Sequence, residues 1–69
     1  MKLSARNSLP GTVRSIELGA VNAEVTLELA PGITVVSIIT LDAVKGLGLK
    51  VGDRAYAVIK ASSVMIGTD

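Results

Sequence analysis

The sequence contains no cysteine, histidine, tryptophan or phenylalanine, and Tyr56 is its only aromatic residue. Without cysteine and histidine, disulfide staples and the common zinc sites are excluded. Most acid–base and nucleophilic dyads go with them. With one aromatic, the chain lacks the stacking platforms that single-stranded nucleic-acid binders use. Seven basic residues face six acidic ones, a net charge of +1, which is too balanced for a general binder of phosphate backbones. No run approaches the ~20 apolar residues of a membrane span; the longest, around Ile38-Ile39, is broken by Ser37 and Thr40. Arg6, Asn7 and Pro10 interrupt any early apolar stretch of the kind a secretory signal needs. The expectation is a cytoplasmic protein that is not an enzyme.

Apolar residues are plentiful. The 69-residue chain is 49% hydrophobic and 19% charged, with a mean hydropathy of +0.59. This length corresponds to one domain, residues 1–69. A domain so small leaves much apolar surface uncovered if it stays alone. With disulfides and zinc excluded, oligomerisation is the remaining remedy.

Punctuation and periodicity divide the chain into elements. Pro10-Gly11 reads as a break, after which Thr12 to Leu18 is β-prone, and Gly19-Ala20 makes a turn. Val21, Ala23, Val25, Leu27 and Leu29 alternate with Asn22, Glu24, Thr26 and Glu28. That period of two predicts a strand with one buried and one wet face. After a Pro31-Gly32 turn, Ile33 to Ile39 is apolar on both faces, as in a strand covered twice, the second time by another subunit. Thr40 to Leu47 reads as a short helix, capped by Thr40 or Asp42 and stopped by Gly48, with Val44 and Leu47 on one face. Val51-Gly52-Asp53 is a tight turn. Arg54 to Lys60 is a strand with Ala55, Ala57 and Ile59 on one side and Tyr56 and Val58 on the other; Val64-Met65-Ile66 reads as a last short strand. The order predicts an all-β fold with one short helix: a small five-stranded, OB-like barrel with the helix plugging one end.

The carboxylates have ordinary roles. Glu24 and Glu28 lie on a solvated strand face, Asp53 forms a turn, and Asp42 starts a helix. Two other segments, Ser4-Ala5-Arg6-Asn7 and Lys60-Ala61-Ser62-Ser63, each combine one cation with small hydroxyl or amide residues and hold no carboxylate. Donors without acceptors suit a fully deprotonated, doubly charged oxyanion. The first segment also reads as an ordinary polar N-terminus, and Lys60 as a strand-end lysine that snorkels. Thr40 reads as a helix cap and, with the N–H groups after it, as an anion-facing donor.

Taken together these segments resemble the molbindins, the molybdenum-pterin-binding or Mop-domain proteins. The resemblance spans Met1 to Leu9 with its Ser-Ala-Arg-Asn core, Gly19 to Val25, Ser37 to Asp42, Leu47 to Leu49 and Ala57 to Ile66. It implies a single Mop domain that assembles into a homohexamer, a trimer of dimers. It implies binding of molybdate or tungstate at subunit interfaces as an intracellular store, with no catalysis. Carried onto this chain, the dimer-interface site would join Ser4, Ala5 and Arg6 of one subunit to Thr40, Ala43, Lys60, Ala61 and Ser62 of another. Many relatives carry serine where this chain has Ala43, so here only a backbone N–H remains at that position. A second site near the threefold axis would draw on Gly19, Ala20, Val21 and Asn22. Despite the family's name, no aromatic or carboxylate set is present to grip a pterin. Two other functions stay open: a ligand-sensing regulatory module, and a small OB-type nucleic-acid binder, which the charge and the lone aromatic disfavour.

Overall fold

In the computed structural model, which describes all 69 residues, four strands and one helix follow each other along the chain. They are β1 (Asn7–Leu18), β2 (Asn22–Ala30), β3 (Ile33–Thr40), α1 (Leu41–Leu47) and β4 (Arg54–Ile59), with a single 3-10 turn at Ala61–Ser63. The strands form one antiparallel sheet in the order β3-β2-β1-β4. The sheet rolls into an open half-barrel: residues of β3 and β4, its two edges, face each other across an apolar groove with Val25 and Leu27 at its floor.

The alternation in β2 works as its period requires. Ala23, Val25 and Leu27 are buried, Val13 of β1 and Ala57 of β4 join them, and these five are the only fully buried residues. Ile16, Val35, Ile39, Leu49, Ala55 and Ile59 pack around them. Val21 leaves the expected face because it sits in the turn before β2, where it is exposed.

β1 is longer than punctuation suggests. It begins at Asn7 and runs through Pro10-Gly11, pairing Asn7 to Thr12 with Ile59 to Arg54. Its pairing with β2 starts only at Thr12. Over its first residues it therefore has one neighbour, where a missing proline N–H is tolerated. Gly11 allows a close approach instead of a turn: a Cβ there would lie 2.8 Å from the carbonyl oxygen of Glu28. At Arg14 the register with β2 slips by one residue. Val13 there exchanges hydrogen bonds with the Gly52-Asp53 turn, its N–H donating to Asp53 O and its carbonyl accepting from Gly52 N, both at 2.8 Å. Such a bulge bends the strand and raises its twist, which helps curl the sheet.

The helix is bounded as its sequence requires. Thr40 Oγ1 accepts a hydrogen bond from Ala43 N at 3.0 Å, and Gly48 closes the other end with φ 63°. Val44 is half-buried, but Leu47 is 70% exposed rather than packed beside it. It is Leu49, beyond the cap, that reaches the core. The fifth strand is a correction. After the 3-10 turn, Val64-Met65-Ile66 pairs with no strand, and Met65 and Ile66 are 92% and 88% exposed. The turn carries the chain off the β4 register, and three residues beyond it find no sheet edge within the chain. No helix of the chain is long and apolar enough to cross a membrane.

Candidate functional site

The β1–β4 ladder brings the two donor-rich segments together. Its last rung pairs Asn7 with Ile59, so Arg6 and Lys60 emerge side by side from the same end of the sheet. Ser4, Ala5, Arg6, Lys60, Ala61 and Ser62, with Val58, surround an open concavity of about 620 Å³. The two segments meet at one end of the sheet within a single chain.

The electrostatics of the concavity are one-sided. The chain's single ion pair is Arg14 to Glu28, at 2.8 Å on the outer face of the sheet. Neither Arg6 nor Lys60 therefore has a carboxylate within bonding distance. Arg54 lies over the ring of Tyr56, 5.9 Å from its centroid, and Lys45 sits in the last turn of α1, where it complements the helix dipole. Lys60 is followed by the 3-10 turn, whose first N–H groups, those of Ala61 and Ser62, have no acceptor within the turn. The concavity thus offers two cations, hydroxyls and free N–H groups. No group of three or more acidic residues is placed to hold a metal cation.

Thr40 and Ala43 do not line this concavity. They belong to the opposite end of the sheet, because Leu18 pairs with Ala23, Ala23 with Ile39, and Asn22 with Thr40. A straight strand with the twelve residues of β1 would cover about 36 Å. The longest dimension of the chain is 35 Å. The Ala43 N–H is already engaged by Thr40 Oγ1. That leaves the Thr40 hydroxyl hydrogen free to donate outward. Gly19, Ala20, Val21 and Asn22 lie at this same end: Gly19 N–H donates to Asn22 O at 2.8 Å, and Leu41 N–H donates to Val21 O at 3.0 Å.

One residue of the concavity was not singled out by sequence, and Asn7, named in the first donor segment, stands behind its wall instead of lining it. Val58 contributes its one sizeable apolar side chain, which alternation along β4 places beside Tyr56 on the outer face. Asn7 ties the two walls together, its Nδ2 donating to Ile59 O at 3.2 Å.

Comparison with known proteins places the chain among relatives of the same size. The TOBE domain model matches residues 3–66. A probable molybdenum-pterin-binding protein of Haemophilus influenzae is 54% identical over 69 residues, all of both chains. Among solved structures, MopII from Clostridium pasteurianum superimposes with a TM-score of 0.90 at 48% identity, over 97% of this chain and all of that one. The cytoplasmic molybdate-binding protein ModG, solved with molybdate bound, is 58% identical with a TM-score of 0.93; this chain spans 49% of its length. The chain belongs to the TOBE-domain family, in its molbindin branch.

Proposed function

We propose that this protein binds molybdate, or tungstate of the same shape and charge, and serves as an oxyanion store rather than as an enzyme. The observation that carries the reading is the carboxylate-free concavity, where Arg6 and Lys60 share one lining without an acidic partner. Molybdate at neutral pH has four oxygens and no proton to give. Hydrogen phosphate keeps a proton, and a lining without a carboxylate offers it only the weaker serine hydroxyls as acceptors, which penalises it. The relative solved with molybdate bound supports the same ligand. A pterin has no place in this reading, because the concavity has no aromatic wall; Tyr56 does not line it.

The full site in this reading is shared between copies. Ser4, Ala5, Arg6, Lys60, Ala61 and Ser62 of one chain would receive the helix start of another. That helix start would bring the Thr40 hydroxyl, with Ala43 acting through the N–H that orients it. A second oxyanion site at Gly19-Ala20-Val21-Asn22 is part of the proposal, as is a hexameric assembly. Its support is the exposed apolar surface of Leu18, Val21, Ile33, Val36 and Ile38. We place the protein in the cytoplasm, with copies of itself and small oxyanions as partners and neither nucleic acid nor membrane among them. Calorimetric titration with molybdate, tungstate, sulfate and phosphate tests the reading. Saturable binding of the first two and none of phosphate is expected; phosphate binding as tightly as molybdate would overturn it.

A further inference from the structure

Resting on the oxyanion reading of the concavity, we propose that Asn7 is its positioning residue. The Asn7 amide fixes the peptide plane joining Ile59 to Lys60, and so holds Lys60 beside Arg6. Three side chains in this chain bond to main-chain groups. The Thr40 bond closes a helix cap, the Asp53 bond closes its own turn, and both are local. Asn7 alone reaches across the fold, to a carbonyl 52 residues away at the last rung of the β1–β4 ladder. It is half-buried there.

The chemistry of this bond is specific. Ile59 O can only accept, so only the amide nitrogen of Asn7 can serve it. A trans peptide is planar, so fixing the Ile59 carbonyl also fixes the direction of the Lys60 N–H, which points the opposite way. On its far side the Lys60 carbonyl accepts from Ser63 N at 2.8 Å, which closes the turn but leaves the peptide plane before Lys60 to Asn7. The 3-10 turn after it has no side-chain cap, and no carboxylate pairs with it. Arg6 and Lys60 repel each other across the concavity. The Asn7 bond sits at the root of both, one residue from each.

The test is a double-mutant cycle on the intact chain, read by calorimetric titration with molybdate and by thermal melting without it. Asn7→Ala is expected to raise the Kd by up to about tenfold, the worth of one hydrogen bond in context. Asn7→Asp, of nearly the same size, is expected to raise it further, since it sets a carboxylate against a carbonyl and beside the two cations. In a Lys60→Ala background, Asn7→Ala is expected to cause little further loss, because Asn7 acts by placing Lys60. In the ligand-free protein, the backbone amide resonance of Lys60 should move in Asn7→Ala while those of β2 stay in place. Equal loss in both backgrounds, or none in either, would overturn the proposal while the unmodified chain still binds molybdate. If Asn7→Ala does not fold, the same cycle with the uncharged Asn7→Ser decides. Failure of the unmodified chain to bind molybdate overturns the oxyanion reading itself, and this inference with it.

Discussion

On the proposed reading Thr40 has two separable roles, and Thr40→Asp separates them. As the helix cap it accepts from Ala43 N at 3.0 Å, and aspartate caps helices at least as well as threonine. It also adds negative charge at the favourable end of the helix dipole. The folded chain without ligand should therefore lose no stability. As a donor to a dianion, Thr40 cannot be replaced by a carboxylate. A charge of −1 held about 4 Å from one of −2 costs about 8 kcal/mol at an effective dielectric of about 20, and about 2 kcal/mol even in bulk water. The weaker figure alone raises the Kd about 30-fold. Thr40→Ala gives the contrasting pattern: loss of the cap costs about 1 kcal/mol, a fall in Tm of about 4–8 °C for a chain of this size. Thr40→Ser, which keeps both the acceptor and the hydroxyl hydrogen, should behave as the unmodified protein. Differential scanning calorimetry reads the cap and isothermal titration reads the anion. If Thr40→Asp binds molybdate within about threefold of the unmodified chain, the helix start does not face the anion and the shared site is wrong.

Other expectations follow from single features. Lys60→Ala should weaken molybdate binding far more than Lys45→Ala or Lys50→Ala, whose exposed charges contribute under ~1 kcal/mol; equal losses in calorimetry would refute the assignment of Lys60. Gly11→Ala should destabilise the fold by about 1–3 kcal/mol, because its Cβ would meet a backbone carbonyl at 2.8 Å; unchanged denaturant midpoints would show that β1 and β2 part there freely. Gly48→Ala should cost about 1 kcal/mol, since φ is 63° at that cap; thermal melting checks this. Native mass spectrometry should show an assembly that gains bound molybdate; a folded monomer at micromolar concentration would refute the interface.

What was legible in the sequence was local. The period of two in β2 named Ala23, Val25 and Leu27 as core, and the Thr40 and Gly48 caps bounded the helix. The composition of the two donor segments was also visible. Their adjacency was not, because it depends on a ladder whose partners lie 52 residues apart, and no spacing in the sequence encodes that pairing. Pro10-Gly11 looked like a break because both residues usually punctuate. In β1 they are tolerated because that stretch has one neighbour and because the glycine passes against Glu28. Val64-Met65-Ile66 has strand composition, but composition does not supply a sheet edge to pair with.

The division of donors between the ends of the sheet has a thermodynamic consequence on the proposed reading. Only five residues of the chain are fully buried, while Leu18, Val21, Ile33, Val36, Ile38 and Leu47 stand exposed. Burial on this scale leaves a lone chain marginal. Contact between copies would cover apolar surface at about 25 cal/mol per Å². The same contact would bring a Thr40 from one copy to the Arg6 and Lys60 of another. A ligand that binds only the assembled form stabilises it by RT ln(1 + [L]/Kd), about 2.7 kcal/mol at a hundredfold excess over Kd. Linkage is reciprocal, so assembly must tighten anion binding by the same free energy. The affinity of the protein for molybdate should therefore rise with protein concentration until assembly is complete, then level off. A concavity that needed only its own chain would show one affinity at every dilution.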